Sequence, residues 1–210
     1  KSVLQAIENV NTIIANKIVG MDALDIESID QAMIELDGSS NKANLGANAI
    51  LGVSMATIHA AANYKKQYLF EYLHKGSDFF LPTPMMNILN GGCHADNNVD
   101  IQEFMIFPIG AKSFSAALQM GTEIFHTLKS ILKKRGLNTN VGDEGGFAPD
   151  LKSNEDAIEL LMESIIAAGY NLDTEVSIAL DVASSELFNA KTGLYELTSE
   201  NKSLSSDEMI

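Results

Sequence analysis

Apolar side chains recur at intervals of three and four residues in several stretches of the chain, and this spacing predicts amphipathic helices. The predicted helices cover residues 3–18, 26–36, 47–65, 68–73, 114–135 and about 155–168. Gly20 and the pair Asp37-Gly38 follow the first two of them, as glycines commonly follow helix ends. The pattern therefore predicts a largely helical first half and a mixed second half.

Short apolar runs between the later helices predict strands over residues 85–89, 101–109 and 176–182. The last strand, Val176–Val182, is so apolar that we expect it to be buried on both faces. Because strands alternate with helices, the pattern predicts a parallel sheet in an α/β fold. The prolines of Leu81-Pro82-Thr83-Pro84 cannot continue a helix, so we place a domain boundary between residues 1–80 and 81–210.

Composition narrows the class of protein. The apolar share of 46% and the charged share of 20% are those of a globular protein, while a net charge of −14 opposes binding to nucleic acid or anionic lipid. No apolar run approaches the roughly 20 residues that span a bilayer, and the sequence shows no signal pattern. Cys93, the single cysteine, fits a reducing compartment. We expect a cytoplasmic protein without nucleic-acid binding or membrane insertion.

Polar clusters stand at the ends of the predicted strands, where α/β enzymes place their active sites. The clusters are Gly91–His94, Gln102-Glu103, Asp143-Glu144 and Asp181. Each of the first three has a structural alternative, namely a solvated histidine, a glutamate facing outward from its strand, and a simple turn. Asp181 is the strongest candidate, because a carboxylate that ends a buried run loses hydration unless a lysine or a metal ion compensates.

The acidic clusters favour a metal ion over a lysine. Glu103, Glu144 and Asp181 would repel one another without a cation, and a set of oxygen ligands suits Mg²⁺. If Glu103 and Glu144 approach each other, one of them holds its proton more tightly and can act as an acid. The residues thus predict a magnesium site next to an acid–base pair.

The stretch NVGDEGGFAP, residues 140–149, carries two adjacent acids among three glycines. In locally extended backbone neighbouring side chains point to opposite sides, so we place Glu144 inward and expect Asp143 to brace the loop. Gly145 and Gly146 are expected to supply unusual backbone angles and room for close approach.

Three segments together closely resemble the enolases: LPTPMMNILNGGCHADNNVDIQEFMIFPIGA, NVGDEGGFAP and IALDVASSE. The similarity extends upstream through ELDGSSNKANLGANAILGVSMA and covers nearly the whole chain. It implies that residues 1–80 are the end of the helical part of an α+β N-terminal domain, and residues 81–210 the opening portion of a TIM-like α/β barrel. It also implies a glycolytic phosphopyruvate hydratase, a lyase that interconverts 2-phosphoglycerate and phosphoenolpyruvate with Mg²⁺ as cofactor.

The resemblance assigns a role to each candidate residue. Glu144 matches the general acid that helps the C3 hydroxyl leave, and Glu103 matches the carboxylate that cooperates with it and contacts substrate. Gln102 matches a substrate-binding residue, and His94 a histidine on a mobile loop that closes over substrate. Asp181 matches the first of three carboxylates that hold the catalytic Mg²⁺. We assign no role to Cys93.

Other residues expected from the resemblance have no counterpart in this sequence: the base lysine, the other two metal carboxylates and a flexible serine-containing loop. Ser205–Glu208 also has the pattern of a helix start very near the last residue. We therefore expect this sequence to be a fragment, inactive by itself.

Enolases usually form dimers, and octamers in some bacteria, so the resemblance implies self-association. Some enolases bind plasminogen at the cell surface, which implies a possible surface or secreted pool. The alternative function is an enolase-fold binding or structural protein without catalysis. The acids at strand ends argue against that alternative, since surface binding does not need them.

Overall fold

The computed structural model describes residues 3–74, 76 and 78–210, which form two compact units, Lys1–Phe80 and Leu81–Ile210. The first unit is helical. Its elements are α1 (Leu4–Asn9), a π-helical turn (Val10–Ile14), α2 (Ala15–Ile18), α3 (Ile26–Asp37), α4 (Ala47–Lys65) and α5 (Leu69–Leu73). The helix predicted over residues 3–18 is thus interrupted by a π turn. The apolar stripe of this helical segment packs with α3 and α4 around Ile14, Ile29 and Met33.

Asp37 organises the connection between α3 and α4. Its buried carboxylate accepts hydrogen bonds from the Ser39 backbone N–H at 3.0 Å and the Leu45 backbone N–H at 2.7 Å, and a further one from the Ser39 hydroxyl. These bonds, the hydroxyl first among them, lower the pKa of Asp37 below its ordinary value of 3.8. The ionised form is therefore the one that stabilises this connection.

Replacing this acid should make unfolding less dependent on pH. Because the pKa is lower in the folded chain, the stability that Asp37 contributes is complete above about pH 4 and disappears as the pH falls through the folded value. We expect Asp37→Asn to destabilise the chain at pH 7, and the difference from wild type to shrink below pH 4 in urea unfolding followed by circular dichroism. The exposed Glu8→Gln should show no such convergence, and a constant Asp37→Asn difference would contradict the assignment.

The second unit contains two three-stranded sheets within the described residues. The first is built from β1 (Met86–Asn90), β2 (Glu103–Phe107) and β3 (Ser177–Asp181), covered by α6 (Phe114–Lys134) and α7 (Asn154–Ala167). The second contains β4 (Phe188–Asn189), β5 (Leu194–Leu197) and β6 (Lys202–Leu204). Short helices α8 (Ser184–Leu187) and α9 (Ser206–Met209) flank it, and Ser205 and Glu208 form the capping box of α9. This second sheet, which we call the hairpin sheet, was not predicted from the sequence.

The prediction of a parallel sheet is wrong, because β2 is antiparallel to both of its neighbours. The chain passes from β1 to β2 through a loop that contains only a short 3-10 turn, Gly92–His94, and no crossover helix. Between β2 and β3 it passes through α6 and α7, which pack on each other. Two successive helices reverse the chain twice, so β3 starts from the edge at which β2 ended. The mixture of helices and sheet remains an α/β fold.

The prediction that Val176–Val182 is buried on both faces is also wrong. Leu180 and Asp181 are exposed, because β3 pairs with β2 alone among the described strands and forms an edge of the sheet. One face of the sheet carries Phe104 and Ile106, which are fully buried in the core with α6 and α7. Since side chains alternate along a strand, Glu103 lies on the opposite face.

Candidate active site

The antiparallel course of β2 decides where the polar residues meet. Glu103 is the first residue of β2, and it pairs with Asn90 at the end of β1 and with Asp181 at the end of β3. In a parallel sheet the start of β2 would lie at the far edge from these two residues. Directly opposed residues on antiparallel strands share a face, so Asn90, Glu103 and Asp181 form one polar row.

The loop of residues 140–148 lies against β1 through backbone hydrogen bonds. The Asn90 N–H donates to the Phe147 carbonyl at 2.8 Å, and the Phe147 N–H donates to the Ile88 carbonyl at 2.9 Å. Phe147 is buried and stacks on Phe125 of α6, with ring centroids 4.2 Å apart. The loop is therefore anchored to both the sheet and α6, and this places Glu144 near the end of β1.

The backbone around the two acids is a turn rather than the extended segment expected from the sequence. The Gly145 N–H donates to the Gly142 carbonyl, and Gly145 has a φ of +82°, a region that favours glycine. Asp143 and Glu144 are therefore not separated by extended backbone as expected. Glu144 is about half exposed, with a side-chain accessibility of 51%, while the Asp143 N–H donates to the His94 carbonyl at 2.9 Å.

At Gly146 the loop of residues 140–148 packs closely against β1. A Cβ atom there would lie 2.4 Å from the Asn90 side-chain oxygen, 2.8 Å from the Leu89 nitrogen and 2.9 Å from the Ile88 carbonyl carbon. Two of these atoms belong to the β1 backbone and cannot rotate away. The expectation of close approach at this glycine is confirmed.

We predict that Gly146→Ala destabilises the chain by about 1–3 kcal/mol, the usual cost of forcing a methyl group into a packed site. Thermal unfolding followed by circular dichroism measures the change. The matched control is Gly52→Ala in the helix α4, where a Cβ would meet nothing within 4 Å. The control should gain roughly 0.5–1 kcal/mol, as expected for glycine replaced by alanine inside a helix. Equal effects in the two variants would contradict the close contact at Gly146.

Three of the candidate side chains converge above the polar row. One ring nitrogen of His94, one carboxylate oxygen of Glu103 and one of Glu144 all lie within 4.8 Å of one another. The His94 Nδ1 atom is 3.5 Å from a Glu103 oxygen and 3.9 Å from a Glu144 oxygen. This nitrogen is buried and has no hydrogen-bond partner among the described residues. His94 and Glu103 are half-buried rather than freely solvated, and Glu103 does not simply face solvent.

Gln102 and Asp181 form a second pair beside the first cluster. The Gln102 Nε2 donates to Asp181 Oδ2 at 3.1 Å, and the Cys93 thiol lies 3.0 Å from Gln102 Oε1. Asp181 Oδ1 accepts from the Ala183 N–H at 3.0 Å. The structure thus provides a hydrogen-bonded partner for Asp181 that is neither a lysine nor a metal, and its exposure removes the desolvation argument made from the sequence.

The donor chemistry at this edge fits Mg²⁺. Asp181 offers carboxylate oxygens, and Mg²⁺ is commonly held by one or two protein carboxylates together with waters and substrate oxygens. Asp181 is exposed at the end of its strand, so a hydrated cation can reach it.

Family comparison agrees with the architecture. Residues 78–210 match the model described as the enolase C-terminal TIM barrel domain, and residues 1–73 match the model described as the enolase N-terminal domain. The chain belongs to the enolase family. Enolases are a family of lyases that are generally Mg²⁺-dependent. No helix in the described part of this enolase-family chain has the length and apolar character needed to cross a membrane.

Several asparagines that were not predicted as site residues hold this site together. Asn97 donates to the carbonyls of Asn90 and Pro149, and Asn98 exchanges two hydrogen bonds with the Leu151 backbone. Asn90 and Asn154 are buried. For Asn90, Asn97 and Asn98 the sequence signal is the density of asparagine in residues 90–98, a composition typical of loops that does not specify side-chain bridges.

Proposed function

We propose that this chain carries part of the active site of a phosphopyruvate hydratase, the lyase that interconverts 2-phosphoglycerate and phosphoenolpyruvate plus water. The observation that supports the proposal most directly is the convergence of His94, Glu103 and Glu144 within 4.8 Å, in a chain of the enolase family. Such a reaction needs a proton donor at the leaving hydroxyl and polar groups that orient the substrate.

In the proposed dehydration a base removes the C2 proton, and the electron pair of that bond forms the C2–C3 double bond. Glu144 gives a proton to the C3 hydroxyl as the bond from C3 to oxygen breaks, and water leaves. Its half-exposed position at a turn gives a substrate hydroxyl access to the carboxyl group. Glu103 orients the leaving group beside Glu144, and His94 and Gln102 bind the substrate. In the reverse direction Glu144 accepts the proton from the attacking water, as microscopic reversibility requires.

Asp181 would hold the Mg²⁺ ion. Hydrogen bonds from Gln102 and from the Ala183 N–H orient the Asp181 carboxylate. When bound, the ion supplies positive charge that stabilises negative charge developing on the substrate. Gln102 therefore has two proposed contributions, one to substrate binding and one to the orientation of the Asp181 carboxylate.

For the 210 residues alone we expect no turnover. The resemblance provides no counterpart in this sequence for the lysine that removes the C2 proton, nor for two of the three metal carboxylates. A general acid or base typically contributes about 100- to 10,000-fold, so the loss of the base and of most of the metal site leaves almost nothing.

The test uses the protein at its native length, purified from its source, and the 210-residue chain in parallel. Formation of phosphoenolpyruvate is followed by ultraviolet absorbance, with Mg²⁺ and with excess chelator. We expect Mg²⁺-dependent turnover by the native protein and none by the 210-residue chain. A folded native protein without turnover would instead support the binding or structural alternative, and turnover that persists in chelator would contradict the proposed use of Mg²⁺.

A further inference from the structure

The loop between β1 and β2, residues 91–102, carries His94 and Gln102 but has little regular structure. Its ends are closed by hydrogen bonds from the Gly91 N–H to the Gln102 carbonyl at 2.9 Å and from the Gly92 N–H to the Val99 carbonyl at 2.7 Å. The His94 carbonyl also accepts from the Asp143 N–H at 2.9 Å. These backbone bonds leave most of residues 97–101 to be held by side chains, so those side chains contribute to where the loop and Gln102 lie.

Asn154, the first residue of α7, makes the largest set of these contacts. It is 6% exposed, and its Oδ1 accepts hydrogen bonds from the backbone N–H groups of Asp100 and Ile101, each at 3.0 Å. Its Nδ2 donates to Asp100 Oδ2 at 3.1 Å and to Glu200 Oε1 at 2.8 Å. An amide side chain offers two donors and two acceptor positions, so this one is fully used.

Asp100 connects Asn154 and the β1–β2 loop to the hairpin sheet. Its Oδ1 accepts from the Ser199 N–H at 3.1 Å, and its Oδ2 accepts from the Ser199 hydroxyl. Ser199 lies in the 3-10 turn Thr198–Glu200 between β5 and β6. Glu200 in turn accepts from the Asn154 N–H at 3.0 Å and pairs with Lys202. Three separate segments therefore meet at Asp100, Asn154 and Ser199, which we call the Asp100 lock.

We propose that the Asp100 lock holds the β1–β2 loop in place, and that Asp100 and Asn154 are positioning residues for His94 and Gln102. Asp100 is two residues from Gln102, and the two N–H groups bound by Asn154 belong to the residues immediately before it. The lock's effect on the loop stands on these contacts alone, whereas its importance for catalysis rests on the proposed function.

The lock also explains why an amide stands at position 154. The Asn154 Nδ2 donates to carboxylates of Asp100 and Glu200, so an aspartate there would replace the donor by a third carboxylate facing the other two. Alanine would leave the N–H groups of Asp100 and Ile101 without their acceptor, and donors that lose their partner in a partly buried site are costly. Both changes should release the loop.

The experiment measures native-state hydrogen exchange by NMR on the 210-residue chain, with the Gly92 amide as the reporter in the loop and the Leu128 amide as the reporter in the core. We expect Asn154→Ala to speed exchange at Gly92 about tenfold, which corresponds to about 1.4 kcal/mol of local opening. Leu128 should change less than about twofold, because local opening leaves the core closed. The side-chain amide signal of Gln102 should shift in the same variant.

Ser199→Ala removes only one side-chain hydrogen bond of the lock, so it should disturb folding less than Asn154→Ala does. It should speed exchange at Gly92 by a smaller factor, and Ser199→Thr, which keeps the hydroxyl, should restore the wild-type rate. Ser113→Ala is the control for Ser199→Ala, since it also removes one serine hydroxyl. Ser113 caps α6 and makes no hydrogen bond to the lock within the described residues.

Unchanged exchange at Gly92 in Asn154→Ala, or equal acceleration at Gly92 and Leu128, would overturn the proposal, as would failure of Ser199→Thr to restore the rate. None of these measurements uses turnover. The proposed function can therefore fail in the absorbance assay while the lock is upheld, and the lock can fail while turnover is observed.

Discussion

Glu144→Gln should lower the turnover number of the native-length protein by about 100- to 10,000-fold, the contribution typical of a general acid. Glutamine has nearly the same shape and can still donate a hydrogen bond, but it cannot deliver a proton to the leaving hydroxyl. Because Glu144 is half exposed at a turn, the substitution should change the free energy of unfolding by no more than about 0.5 kcal/mol. Initial rates by ultraviolet absorbance, together with thermal unfolding, separate the two effects.

Asp143→Asn is the matched control, since it makes the same change of charge one residue away. We expect it to reduce turnover less than about tenfold, because the contact of Asp143 with the His94 carbonyl is made by its backbone N–H and survives the substitution. If Glu144→Gln retained activity close to that of Asp143→Asn, the assignment of Glu144 as the acid would be wrong, and His94 would become the next candidate because its Nδ1 faces the same cluster.

Local pattern was sufficient for the helices. The helix predicted over residues 47–65 is observed as Ala47–Lys65, and that predicted over 114–135 as Phe114–Lys134. Their apolar composition and spacing act within a few residues of the sequence, so the signal is local. Ser113 also caps the first turn of α6. The π turn at Val10–Ile14 was not predictable in this way, since an apolar stripe does not distinguish its hydrogen bonds from those of an α-helix.

Strand direction was not available from the same reasoning. The direction of β2 relative to β1 depends on the loop of residues 91–102, and its direction relative to β3 depends on how α6 and α7 return the chain to the sheet. Both are properties of tertiary packing. The consequence for the site is large, because only the antiparallel course brings Glu103 beside Asn90 and Asp181. The hairpin sheet of β4 to β6 was missed for a different reason: its strands contain only two to four residues, too few for an alternating pattern to be read.

The candidate residues themselves were chosen from sequence, and the structure brings His94, Glu103 and Glu144 together while Gln102 and Asp181 pair beside them. The physical reason given for Asp181 was incorrect, since that carboxylate is exposed and hydrogen-bonded rather than buried and uncompensated. The side chains that hold the loops, such as Asn98 and Asn154, bridge residues more than 50 positions apart. Bridges of that separation leave no local signal.

Phe104→Ala should have the largest effect on stability, destabilising the second unit by about 3–5 kcal/mol. Phe104 is fully buried in the core with α6 and α7, so its loss removes apolar contact and leaves a cavity. It also directly follows Glu103, whose side chain faces the opposite side of the sheet because Phe104 is held in the core. A shift in the midpoint of urea unfolding, at unchanged slope, measures the loss.

Leu180→Ala is the control for this prediction, since Leu180 pairs with Phe104 across β2 and β3 but is 40% exposed. It should cost roughly 1 kcal/mol, the centre of the range for single substitutions. A loss of that size is a modest part of the 5–15 kcal/mol by which domains are typically stable, whereas the loss expected for Phe104→Ala can exhaust it. Equal losses in the two variants would mean that the buried face of β2 is not the principal support of the strand that carries Glu103.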